Sequence, residues 1–130
     1  MNNQLCPCGN SKTYENCCEI IHQDISKAST AEELMRSRYS AFAKANGDYL
    51  YLSHHSSTRP NSYKKTEKWA KSVQWIKLEI QKSTKGTQNE NEGTVEFTAY
   101  FMENGKIDTI QEHSTFEKES GHWVYLDRLN

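Results

Sequence analysis

Four cysteines crowd into one short stretch, at Cys6, Cys8, Cys17 and Cys18, and none follows. The stretch around them has almost no apolar side chains, so it has no hydrophobic core to fold around. A metal ion supplies one. Zinc takes four sulfur or nitrogen ligands in a tetrahedron. The spacing C-x-C, eight residues, C-C offers two close ligand pairs on a short loop, and Pro7-Cys8-Gly9-Asn10 offers the tight turn needed to wrap an ion. Metal binding and local folding are then one event. His22, four residues past Cys18 and on the same side if that stretch is helical, is the reserve fourth ligand. Disulfides, a redox-active group and an unstructured tail are the competing readings. A reducing compartment disfavours the first, and the second lacks a C-x-x-C beside a βαβ unit.

The remaining chain can build an ordinary core. Its 130 residues are the size of one domain, and three Trp, seven Tyr and four Phe are available to anchor it. The formal charge of -1, from 16 basic and 17 acidic residues, lacks the basic excess that marks nucleic-acid binding. No apolar run approaches the ~20 residues of a membrane span. The start, MNNQLCPC, has no basic region followed by an apolar stretch, so it does not read as a secretory signal. The expectation is a soluble, cytoplasmic protein.

Residues 1–22 form the cysteine knuckle and residues 23–29 a short linker. Thr30-Ala31-Glu32-Glu33 fits a capping box, and Ala31, Leu34, Met35, Tyr39, Phe42 and Ala43 then recur at helical spacing. Gly47 is expected to stop this helix, and Asp48 to cap a second through about His54. Residues 56–62 read as a loop, and residues 63–71 as a third helix. From Val73 the period becomes two. Ile76, Leu78 and Ile80 alternate with polar neighbours, as do Val95, Phe97, Ala99 and Phe101. Asn104-Gly105 signals a type I′ hairpin, and Ser120-Gly121 a further turn. Helices first and antiparallel strands afterwards predict an α+β domain with helices on one face of a sheet.

Two resemblances follow from these residues. Cys6-Pro-Cys8-Gly-Asn-Ser-Lys-x-Tyr-x-x-Cys17-Cys18 resembles the SEC-C motif, the zinc-binding tail first described in the SecA translocation ATPase. Asn10-Ser11 stands where that motif prefers Ser-Gly. SecA-type tails carry His where this chain has Cys18, which favours Cys18 over His22 as ligand. The helix LMRSRYSAFAKAN, the loop HHSSTRP and the terminal S-F-x-x-x-x-G-x-W-x-Y-x-D pattern are similar to bacterial YchJ-like proteins. The resemblance implies an N-terminal SEC-C zinc knuckle over residues 1–22. It implies a cystatin-like, nuclear transport factor 2-like α+β domain over residues 30–130, with N-terminal helices on a curved antiparallel sheet. Some relatives carry a second SEC-C motif after this domain, and none follows here as far as Asn130. Where relatives place a basic residue at His113 and often His at Gln111, this chain has departed from the pattern.

A curved sheet around a helix often leaves a cavity. The Asn104-Gly105 turn sets the cross-strand pairs Phe101 with Asp108, Ala99 with Ile110, Phe97 with Glu112 and Val95 with Ser114. That face is the apolar one, so Glu112 points inward. Arg38 lies on the apolar face of the first helix. The two form a buried ion pair, or a polar pocket with Tyr125 and Asp127, unless a bulge turns Glu112 outward. Trp123 and Tyr125 read as core wall, and His54-His55 as solvated surface. Residues 64–85 hold seven Lys and two Glu, while residues 86–119 hold two Lys and eight acids. Pairing between strands explains this asymmetry more simply than a patch for an acidic partner such as ribosomal RNA.

No nucleophile–base pair, phosphate-binding Gly loop or HExxH helix is present. The sequence thus supports a zinc protein whose knuckle docks a protein or ribosomal partner. The alternative is a small-ligand protein or enzyme using the Arg38–Glu112 cavity. It leaves catalysis and oligomeric state open.

Overall fold

The computed structural model describes residues 4–129. Residues 1–3 and Asn130, the outer ends of the two predicted units, lie outside the described residues. The knuckle opens with a Leu5–Thr13 bridge and a backbone bond from Cys6 to Lys12 (2.7 Å). A 3-10 turn, Tyr14–Asn16, leads into helix α1 (Cys18–Gln23). The expected linker contains a second 3-10 turn, Ile25–Lys27, capped by the Asp24 side chain. Helices α2 (Ala31–Ala43), α3 (Gly47–Leu52) and α4 (Lys64–Ser72) follow. None of the described helices is long and apolar enough to cross a membrane.

The Thr30 hydroxyl caps α2 by accepting from Glu33 N. The Glu33 carboxylate reaches one residue further back than a capping box requires, to Ser29 N (2.9 Å). Gly47 does not stop α2. The left-handed residue is Ala45 (φ 53°), Asn46 caps α3 through its side chain, and Gly47 is the first residue of α3. Gly47 N donates to Glu67, whose carboxylate lies where a Cβ on residue 47 would be. Glycine is thus required here for close approach, not for a turn.

Strands β1 (Gln74–Lys85), β2 (Glu92–Glu103), β3 (Lys106–Glu119) and β4 (His122–Arg128) make one antiparallel meander in chain order. Both hairpin turns place two residues at positive φ, Asn104-Gly105 and Ser120-Gly121. The β2–β3 register has the expected pairs, including Phe97 with Glu112. The outer strands break their alternation. In β1, Trp75 pairs with Phe101 but Lys77 pairs with Tyr100, leaving Ile76 as the extra residue of a bulge. Ile76 is expelled to 44% exposure, and Trp75 turns inward against Tyr39 and Phe101.

α2 lies across the concave face, with Leu34 and Met35 buried against Val95, Phe97 and Ala99. Complete burial of a side chain such as Leu34 contributes about 1.5–3 kcal/mol. α2 is covered on a second side as well: Ser37 and Ser40 are fully buried although polar. Ser37 bonds to Leu34 O and Tyr49 Oη, and the Ser40 hydroxyl meets the Cys6 thiol. The helix is therefore a shared element, with the sheet on one side and the knuckle on another.

Candidate metal centre and cavity

The sulfurs of Cys6, Cys8, Cys17 and Cys18 all lie within 4.8 Å of one another. Three of these residues are buried and Cys17 is half-buried. Sulfurs at the corners of a tetrahedral zinc site, each ~2.3 Å from the metal, stand about 3.8 Å apart. Cys8 and Cys17 are 3.6 Å apart, so the donor set fits a thiolate-binding metal. The chain folds this way because the Leu5–Thr13 bridge returns the loop on itself, while α1 begins at Cys18 and brings the last pair beneath the first.

The thiols oppose one another while protons hold them. Hydrogen bonds from Cys18 and Cys8 hold Cys6 far below the ordinary thiol value. Cys18, which supplies protons to Cys6 and Cys8 and is itself buried, is pushed far above it. Four thiolates packed this closely would repel one another, so holding all four together requires a bound cation. Four thiolates would leave no open coordination position, so a metal held by all four would serve structure and not catalysis.

The four sulfurs group without His22, the reserve ligand, whose ring nitrogens have other partners. Its Nε2–H donates to Ser37 O (2.7 Å), and its Nδ1 accepts from Tyr14 Oη (2.7 Å). Both ring nitrogens are engaged, and the ring pins α1 to α2 while its centre lies 4.5 Å from that of the Tyr49 ring, the two planes tilted by 50°. Arg36 makes a second tie, donating to Cys8 O at 2.6 Å.

On the sheet side of α2, a cavity of about 290 Å³ contains Arg38, Glu112 and Tyr125 in its lining, with Tyr39, Phe42 and Trp75 among the apolar walls. The expected Arg38–Glu112 ion pair does not form. Arg38 donates to Leu50 O (2.9 Å), Ser53 Oγ (2.7 Å) and Tyr63 Oη (3.2 Å), and its guanidinium carbon lies 4.8 Å from the Tyr125 ring centre. Glu112 instead accepts from Ser114 Oγ (2.6 Å) and approaches Arg128 (3.9 Å). Asp127 is not part of the lining. Phe116 pairs with Tyr125 but Thr115 pairs with Asp127, so Leu126 is an extra residue in β4. This bulge breaks the alternation that would have put Asp127 beside Tyr125.

His54 corrects the expectation of a solvated pair. It is 9% exposed, lines the cavity, bonds Tyr63 Oη through Nδ1 (2.6 Å) and stands edge-on to Tyr125. The signal available was weak, because His54 follows α3 by two residues and the turn there gives no periodicity to read. His55 is the outer member of the pair and faces Glu117 and Glu119. Opposite charges also meet along the Lys-rich stretch: Lys77 meets Glu79 (3.3 Å), Lys85 meets Glu92 (4.0 Å), and Lys82 pairs with Glu96 across the strands. His113 faces Glu96 across β2 and β3, as expected.

Residues 30–128 match the family model for the middle, NTF2-like domain of YchJ. A UPF0225 protein of Vibrio parahaemolyticus is 45% identical over 124 residues, covering 94% of this chain and 72% of the relative. A UPF0225 protein of Chromobacterium violaceum is 41% identical over 124 residues, covering 95% of this chain and 91% of the relative. The solution structure of a SEC-C motif containing protein from Rhodopseudomonas palustris superposes with a TM-score of 0.84 at 31% identity, over 98% of this chain and 97% of that one. The crystal structure of a SEC-C motif containing protein from Psychrobacter arcticus gives 0.78, also at 31% identity, over 95% and 81%. With its clustered cysteines docked on an α+β domain of this type, the chain belongs to the YchJ-like family.

Proposed function

We propose that the chain is a structural-zinc protein acting as an interaction module. Zinc on Cys6, Cys8, Cys17 and Cys18 folds the knuckle, whose outer face docks a protein or ribosomal partner. The convergence of the four sulfurs within 4.8 Å carries this reading. Leu5 at 65% exposure and Ile20 at 44% put apolar surface on the outside of the knuckle, beside exposed Lys12, which supports a docking role. The two SEC-C structures similar to this chain support it also.

The test is the metal content of the purified chain and of Cys17→Ser, by mass spectrometry under native and denaturing conditions. One zinc per chain, lost in the variant, is the expected result. No metal, with thiols that react readily, overturns the reading. Iron in place of zinc corrects the metal and leaves its structural role. For docking, replacing Leu5, Lys12 and Ile20 should release cross-linked partners while the fold is kept; retention of all partners counts against it.

A second reading is favoured by one observation. Arg38 and Glu112 line the same cavity without closing it through an ion pair. This supports a small-ligand binding or catalytic role for the α+β domain, independent of the knuckle.

A further inference from the structure

Arg38 is 4% exposed, and an arginine side chain remains charged at any ordinary pH. Among the described residues no carboxylate forms an ion pair with it. Its acceptors are a carbonyl and two hydroxyls, all neutral. The nearest candidate counter-charge on the cavity wall, Glu112, is taken up by Ser114 and Arg128. The carbonyl of Leu50 and the Ser53 hydroxyl let Arg38 close the end of α3. They satisfy donors but bring no negative charge, and a buried charge without one is costly.

Three of the five guanidinium N–H groups are used by these partners. The Nε–H has none among the described residues. No deeply buried side-chain nitrogen or oxygen among the described residues lacks a partner, so Nε opens onto accessible space, and Arg38 lines the cavity. The Tyr63 hydroxyl accepts from Arg38 and donates to His54 Nδ1, which leaves His54 neutral with its proton on Nε2. Burial, with Arg38 and Arg59 nearby, holds His54 at about 4. Arg38 is therefore the cavity's one fixed positive charge. The remaining walls are largely rings and aliphatic chains. At about 290 Å³ the space sits at the small end of ligand sites, which begin near ~300 Å³.

We propose that this cavity binds a small monocarboxylic acid carrying one ring, with the carboxylate on the free N–H groups of Arg38 and the ring against Trp75 and Phe42. The proposal rests on the second reading above, that the cavity takes a ligand. One guanidinium matches one carboxylate in charge and in its paired donors. A phosphate dianion would need a second cation, and Arg38 is the one arginine or lysine on the cavity lining. A hydroxyl or amino substituent on the ring meets Glu112 as acceptor.

The experiment is titration of the zinc-loaded full chain with benzoate, 3-phenylpropionate, neutral benzamide and inorganic phosphate, followed by amide NMR shifts. The two acids should shift residues lining the cavity and bind at least tenfold more tightly than benzamide or phosphate. Arg38→Met should remove that preference. Ala99→Met, which fills the cavity from β2 and leaves Arg38 in place, should weaken acid binding at least tenfold, and it serves if Arg38→Met fails to fold. Equal binding of benzoate and benzamide overturns the acid proposal while the cavity reading stands. Tighter binding of phosphate overturns the carboxylate class. Binding of no probe to wild type overturns the proposal and the cavity reading together.

Discussion

Arg36, in the middle of α2, holds the carbonyl oxygen of Cys8 at 2.6 Å across 28 positions of sequence. The same guanidinium pairs with Glu32 through Nε (3.1 Å). A charged donor on a carbonyl of the cysteine loop fixes the turn between Cys6 and Cys8 to the α+β domain. Arg36→Ala should cost about 1.5–3 kcal/mol of stability and should speed metal loss to a chelator. Urea unfolding and a competition assay with a chromophoric chelator measure the two effects. Unchanged metal release would show that the turn holds itself.

Metal removal should lower the stability of the whole chain, not only of the knuckle. All three tryptophans, Trp69, Trp75 and Trp123, lie in the α+β domain, so their fluorescence reports on that domain alone. Because Cys6 meets the Ser40 hydroxyl and His22 the Ser37 carbonyl, unfolding of the knuckle exposes one side of α2. A strong chelator should therefore shift the tryptophan-detected Tm downward. An unmoved Tm would mean that the two units are energetically separate.

His54 titrates at about 4, against 6.5 for an ordinary histidine, chiefly through burial and then through Arg38 and Arg59. The folded state favours the neutral ring. Its contribution is complete above about pH 6.5 and is lost as pH falls toward 4. Other groups titrate in this range, so the quantity to measure is the difference in stability between wild type and His54→Gln. Wild type should lose its advantage between these two pH values, and the NMR titration of the His54 ring should give a midpoint near 4. A midpoint near 6.5 would contradict the buried placement.

Two glycines should respond differently to alanine. Gly105 sits at φ 78° in open space, so Gly105→Ala meets only left-handed strain, about 1–2 kcal/mol. A Cβ on Gly93 would stand 2.5 Å from the Gly86 Cα, on backbone that is tied to Ala31 N through Gly86 O. Gly93→Ala should therefore cost clearly more and loosen the β1–β2 link. Thermal unfolding of the two variants side by side decides it, with equal losses as the contrary outcome.

The inner pair of strands was legible because a two-residue turn and strict alternation leave one register for β2 and β3. The outer strands were not, because a bulge is a local excess of one residue and carries no sequence period. Ile76 looks like core and is outside; Asp127 looks paired in direction with Tyr125 and is not. The cysteines were readable from spacing alone. The partners of Arg38 were not, since Ser53 and Tyr63 bound a loop whose position depends on where α3 ends. Ser40 looks like an exposed helix position until the Cys6 thiol is set against it, and Ser37 until Tyr49 of α3 is. His22 looks like a ligand by spacing, yet its ring is turned toward Ser37 and Tyr14.

The meander has a consequence for the order of events during synthesis. Every strand pairs with its immediate neighbour in the chain, so each hairpin closes over a short loop at little entropic cost. The knuckle and its ties to α2 are likewise complete within the first third of the sequence. The long closure is the docking of these two halves, marked by Trp123 Nε1 reaching Ser29 O across 94 positions. A growing chain can thus bring its four cysteines together early, while the apolar side of α2 waits for the strands it packs on and is fully covered only when β4 has emerged.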